Sequence, residues 1–156
     1  MQRATLCFLL RGEDVCQAQK KRGFGAGKLN AYGGKFKKGE SARACAVRET
    51  FEESGARIYR KDLKQVAIVA TYFGRVPAWE LHVFVARKWK GEPRETVEMG
   101  KPKWSPRNAL PEDEMLSIGR YWVPRAVMEL SFEAEICLSR NGKNVRKIVF
   151  RKATFR

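Results

Sequence analysis

Glu49, Glu52 and Glu53 stand in the stretch RETFEES, where a helix would crowd three carboxylates into one turn. At about 100° per residue they span roughly a quarter to a third of the helix circumference. Like charges at i, i+4 weaken a helix, and no lysine stands among these to relieve them. The bland reading is a solvent-facing acidic stripe. The rest of the chain argues against it: with 32 Lys plus Arg against 17 Asp plus Glu, a solvated face would be expected to carry lysines. A hard divalent cation explains the cluster better. Mg²⁺ prefers oxygen ligands, keeps several waters, and binds through a few carboxylates plus substrate phosphates.

The element that must present these carboxylates runs from Ser41 to Ser54, with Gly55 as its C-terminal cap. Ala44, Val47 and Phe51 fall opposite the glutamates, where they can pack into a core. Ala42, Cys45 and Ala46 share the glutamate side and are small enough to let it lie close against another part of the protein. Before the helix, Ala4 to Leu10 reads as a strand and Val15 to Gln19 as its hairpin partner across Arg11 to Asp14. Lys21 to Gly34 is Gly-rich and reads as a structured loop. Val66 to Phe73 and Glu80 to Arg87 read as strands separated by a turn containing Gly74 and Pro77. Trp104 to Asp113 reads as loop, and Val123 to Leu130 as a short helix begun at Pro124. Alternation from Phe132 to Leu138, then Asn141-Gly142, then Val145 to Phe150 predicts a β-hairpin. One mixed α/β domain over 1–156 is the economical reading.

Composition bounds the rest. A chain of 156 residues, 44% hydrophobic, can build a core without disulfides. Ala4 to Leu10 is too short to span a bilayer and lacks a signal-peptide cleavage pattern, so neither a membrane nor a secretory role is expected. Cys7, Cys16, Cys45 and Cys137 form no CxxC pair, which fits reduced thiols and a cytoplasmic protein better than a zinc site. Net charge of +15, clustered at 20–22, 35–38, 87–90 and 140–152, implies a polyanionic partner: a nucleotide, or a nucleic acid bound through the basic C-terminal region. GFGAGK at 23–28 satisfies neither GxGxxG nor GxxxxGK[ST], and His82, the only histidine, sits in an apolar strand pattern.

The spacing Gly34-x5-Glu40-x7-Arg48-Glu49-x2-Glu52-Glu53-x-Gly55 resembles the Nudix box. Thr50 departs from it where the family has a bulky aliphatic residue, and Ala56 departs mildly. KKRGFGAGKLNAYGGKF at 20–36, ELHVFVA at 80–86, Glu98-Met99, Trp104 and YWVP at 121–124 are similar to the MutT-homologue branch, which includes 8-oxo-dGTP diphosphatases. The similarity runs to about Val127.

The resemblance implies a Nudix fold: a mixed β-sheet sandwiched between helices. It implies hydrolysis of purine (d)NTPs, oxidised ones included, to monophosphate and pyrophosphate, with Mg²⁺ as cofactor and Mn²⁺ as its alternative. Metal ligands would be Glu49, Glu53, Glu52, Glu98 and the carbonyl of Gly33. Arg48 would orient a neighbouring glutamate, and the general base falls among Glu52, Glu53 and Glu98. Glu40 would act from behind the ligands and Lys35 would approach phosphate oxygens. Thr5, Lys20, Phe24 and Asn30 match the nucleobase site. Leu116, Ile118 and Gly119 replace the tryptophan and two aspartates that read the purine edge in the branch, and Ala70 stands where an aromatic is expected. The alternatives are another nucleoside diphosphate-X substrate (a dinucleotide polyphosphate, a nucleotide sugar or an RNA 5′ end) or a non-catalytic nucleic-acid-binding module.

Overall fold

The computed structural model describes residues 1–156. One sheet of nine strands organises it, in the order β3-β2-β1-β6-β5-β8-β9, with β4 paired to β1 and β7 to β2. The strands are β1 Gln2–Arg11, β2 Asp14–Gln19, β3 Leu29–Asn30, β4 Tyr32–Lys35, β5 Leu63–Phe73, β6 Val76–Ala86, β7 Lys103–Pro106, β8 Phe132–Leu138 and β9 Val145–Lys152. Two helices, α1 Ala42–Ser54 and α2 Val123–Val127, cover opposite faces. β1 and β6 run parallel, as do β5 and β8, while hairpins pair β5 with β6 and β8 with β9. No helix is long and apolar enough to cross a membrane.

Period-two alternation divides the apolar residues between the faces. Along β1, Phe8 and Leu10 enter a core with Val83, Trp122 and the α2 residues Val123 and Ala126. Cys7 and Leu9 enter a second core with Tyr32, Phe84 and the α1 residue Ala46. The mixed sheet between helices, closed by a C-terminal hairpin, is the Nudix arrangement expected from the sequence.

Several local expectations change. The segment 21–34 is loop only to Lys28, after which Leu29–Asn30 and Tyr32–Lys35 are strands. Their brevity and the Gly33-Gly34 pair hide them from a propensity reading. Trp104 is not in a loop: β7 pairs with the outer edge of β2, and Pro106 sits at the strand's end, where a missing N–H is tolerated. Pro77 lies inside β6, opposite a register shift at Thr71/Tyr72, and the turn proper holds Gly74.

The helix faces are the other change. In α1 the buried residues are Cys45, Ala46, Thr50, Glu53 and Ser54, whereas Phe51 is 43% exposed and only Val47 of the opposite set packs on a core. Small side chains decide this: they let the glutamate face itself seat on the sheet. Ser41 caps the start, its Oγ accepting from the Ala44 N–H at 3.1 Å, and Gly55 ends the helix at φ 80°, a left-handed conformation that glycine adopts without strain.

Candidate active site

Gly33 and Gly34 are the seat on which α1 rests. A Cβ at Gly33 would lie 1.9 Å from the Thr5 carbonyl oxygen, and one at Gly34 would lie 2.4 Å from the Glu49 carboxyl carbon. Only glycine allows β1, β4 and the Glu49 side chain to approach this closely.

The carboxylates are held from two sides. The Gly33 N–H donates to Glu53 Oε1 at 2.9 Å, and Glu53 is 8% exposed. Burial pushes its carboxyl up to about 7, against the pull of the Gly33 N–H, and the Glu49 charge adds to the rise. Glu49 is raised as well, first by burial, although the Arg48 guanidinium opposes the shift. Arg48 is the hub. It donates to both oxygens of Glu40 at 2.8 Å, to Glu49 at 2.7 Å, to Glu52 at 3.3 Å and to the Lys35 carbonyl at 3.2 Å. The paired bonds to Glu40 use the planar fork that a lysine lacks. They hold the Glu40 carboxyl down at about 2. Glu40 thus stands behind the arginine, as expected.

Glu98 reaches the same site by a separate route. Thr96 Oγ donates to the Glu53 carbonyl at 2.9 Å and accepts from the N–H groups of Glu98 and Met99 at 3.2 Å. One hydroxyl therefore fastens the Glu98 loop to the end of α1. Arg22 pairs with the Glu98 carboxylate and lowers its pKa. Neither Thr96 nor Arg22 is singled out by the sequence, because a lone threonine in a loop carries no spacing signal.

The residues fit a hard cation. Every side-chain donor here is a carboxylate oxygen, two of the carboxyls are raised by burial, and Gly34 lets the Glu49 carboxyl lie directly against the β4 backbone. As placed, the oxygens are turned to Arg48, Arg22 and the Gly33 N–H, and no three carboxylates converge on one point.

The expected base-site residues divide. Lys20 pairs with Met99 in an isolated bridge, and its charge opposes the rise at Glu53 and adds to the lowering of Glu98 by Arg22. Lys35 Nζ lies 5.8 Å from the Trp79 ring centre. The Asn30 Oδ1 accepts from the Ala31 N–H at 2.8 Å, so its recognition capacity is the amide NH₂. Phe24 is 73% exposed on the 20–28 loop. Thr5 is buried with its hydroxyl 3.4 Å from Cys45 Sγ, on the face that α1 covers. That placement turns its side chain away from the face where Leu6 and Ile118 pack.

The replaced loop is equally concrete. Leu116 lies beneath Gly25, 3.3 Å from where a Cβ would stand, Ile118 packs on the α2-side core, and Gly119 is buried against Val123 and Met115. No acidic side chain is presented at 116–119. Ala70 pairs with Glu80 and Glu135, one residue out of phase with the core residue Val69, so its small size leaves the core face unaffected.

The NUDIX domain family model matches residues 1–126. The chain is similar to oxidized purine nucleoside triphosphate hydrolases of Danio rerio and Mus musculus, each 34% identical over 129 residues, covering 82% of this chain and 81% of theirs. In structure it is similar to a mutator MutT protein from Bacillus halodurans, with a TM-score of 0.76, 22% identity, and coverage of 96% of this chain and 97% of that one. The family match takes in the sheet through β7, the whole of α1 with its glycine seat, and the start of α2, and on it the chain belongs to the Nudix hydrolases.

Proposed function

We propose that this chain hydrolyses purine nucleoside triphosphates, oxidised ones included, to the monophosphate and pyrophosphate, with Mg²⁺ as cofactor and Mn²⁺ as a substitute. The observation that carries the reading is the seating of buried Glu53 and half-buried Glu49 against Gly33-Gly34 with no lysine paired to either. Similarity to the oxidized purine nucleoside triphosphate hydrolases supports the substrate class.

Glu49, Glu52, Glu53 and the Gly33 carbonyl would hold the cation, with Glu98 completing the set. Bound there, it would neutralise triphosphate charge and lower the pKa of the attacking water. The chain's own residues do the rest. Arg48 keeps Glu49 and Glu52 on one face of α1. The general base falls among Glu52, Glu53 and Glu98, of which Glu53 is the most buried and is held by the Gly33 N–H at 2.9 Å. Thr96 fixes the Glu98 loop to that carboxylate's own backbone. Lys20 and Lys35 bring positive charge to the phosphates, while the Asn30 amide and the Phe24 ring recognise the base.

Leu116, Ile118 and Gly119 favour recognition by shape and stacking over a carboxylate reading the purine edge, and hence a broader base range within the same chemistry. The test is a substrate panel with Mg²⁺: 8-oxo-dGTP, plain dNTPs, dinucleotide polyphosphates and triphosphorylated RNA, with products separated by ion exchange. The expected result is pyrophosphate from several purine triphosphates with less than about tenfold spread, a difference of about 1.4 kcal/mol in transition-state binding. Turnover confined to dinucleotide polyphosphates or RNA ends would overturn the substrate class while keeping the family chemistry.

A further inference from the structure

The chain's cations are unevenly paired. Arg57, Arg60, Lys61, Lys88, Lys90 and Arg94 take part in no salt bridge. They lie on two segments that touch. Arg57 and Lys90 exchange backbone hydrogen bonds at 2.9 Å in both directions, and the Arg94 N–H donates to the Ser54 carbonyl at 2.9 Å.

Two large rings stand on the same surface, outside both cores: Phe51, 43% exposed, and Tyr59, 47% exposed. Each lies beneath a cation. The Arg57 guanidinium is 4.7 Å from the Phe51 ring centre, and the Lys90 ammonium is 5.4 Å from that of Tyr59. Since Arg57 and Lys90 pair through their backbones, the two ring-cation layers are neighbours on one face. That face flanks the C-terminal end of α1, beyond the glutamates. An ordinary solvated basic surface has no need of exposed rings.

The combination selects a ligand. Phosphates along a chain suit the unpaired cations, and bases suit flat π surfaces, whether aromatic rings or an arginine plane. An acidic protein would use the cations and leave the rings without a role. A bilayer surface would use the cations with rings that project past them, whereas these rings lie under theirs. We propose that the face formed by Phe51, Arg57, Tyr59 and Lys90 binds single-stranded nucleic acid, separately from the nucleotide site.

A rival basic surface exists. Arg146, Lys147 and Lys152 of β9 are exposed and enter no salt bridge, and a cavity of about 680 Å³ is lined by Phe73, Arg75 and Arg140. No cation lies over Phe73, against whose ring the Gly142 turn packs closely, and the one ring of β9, Phe150 beneath the Arg125 guanidinium at 3.9 Å, packs on the larger core rather than standing free.

Fluorescence anisotropy with a labelled oligothymidylate of about 12 nucleotides, titrated over a range of salt in metal-free buffer, separates the two surfaces. Phe51→Ala and Tyr59→Ala are each expected to weaken binding by about fivefold or more. The Arg57→Gln/Lys90→Gln double variant is expected to flatten the log–log salt slope by about 1.4, about 0.7 for each phosphate left without its cation. Inorganic polyphosphate should bind the two alanine variants as tightly as the parent, since it offers no base to stack. Unchanged melting temperatures and nucleotide hydrolysis confirm that the variants fold. Three results would overturn the proposal: no oligonucleotide binding by the parent at about 50 mM salt, parent-like binding by both alanine variants, or binding abolished only by Arg146→Gln/Lys147→Gln.

Discussion

Glu53 lies between burial, which raises its carboxyl to about 7, and the Gly33 N–H, which favours the charged form. Its folded pKa stands above the ordinary 4.5, so the folded protein holds an extra proton between those values. The stability this proton contributes is complete below pH 4.5 and is lost as pH rises through 7. In divalent-free buffer, Glu53→Gln is therefore expected to melt higher than the parent at pH 8, by up to about 3 kcal/mol, and level with it near pH 4.5. Differential scanning calorimetry at the two pH values checks both arms. The adjacent glycines make a second pair of predictions. Gly33→Ala drives a Cβ into backbone and should cost several kcal/mol, because neither strand can yield. Gly34→Ala meets first the end of the Glu49 side chain, which can turn aside. It should melt within about 1 kcal/mol of the parent, yet bind Mg²⁺ weakly by calorimetric titration, because Glu49 must swing away.

At the scale of the element, α1 shows what one sequence discloses and what it does not. Its limits were legible: Ser41 and Gly55 mark the ends through capping chemistry that acts locally. Its carboxylate spacing was legible too, since helical geometry fixes which residues share a face. Which face turns inward was not. Phe51 is the most hydrophobic residue of the helix and invites burial, but the seat is a pair of glycines that accepts only a flat, small-residue surface. The contest is settled by the shape of β4, which lies in a segment the sequence presents as loop. Ala46→Leu is accordingly expected to destabilise by about 1–3 kcal/mol through overpacking against the second core. Phe51→Ala should cost less than about 1 kcal/mol, and chemical denaturation of the two variants distinguishes them. A helix packed as hydrophobicity alone suggests would reverse the order. Thr96 and Arg22 were illegible for a different reason: their roles depend on a loop brought to α1 from more than forty residues away.

At the scale of the molecule, the C-terminal hairpin is more than an appendage to the family-matched region. β8 runs parallel to β5 along seven registered pairs, and Phe132, Ala134, Ile136 and Leu138 are members of the larger core. Deleting residues 131–156 would uncover that core and is expected to yield an insoluble or unfolded chain, checked by expression and circular dichroism. The hairpin itself was legible from alternation and Asn141-Gly142, whereas its parallel partner was not, because parallel pairing leaves no turn between strands to read. The whole assembly brings β4, α1 and the Glu98 loop to one place, where the nucleotide chemistry is proposed to occur. The decisive experiment follows pyrophosphate release from a purine nucleoside triphosphate by the parent and by Glu53→Gln, with and without Mg²⁺. Turnover by the parent is expected only when Mg²⁺ is present, with a loss of at least about 10²-fold in a Glu53→Gln variant that melts no lower than the parent. Equal turnover by the two proteins, or turnover indifferent to Mg²⁺, would refute catalysis at this site.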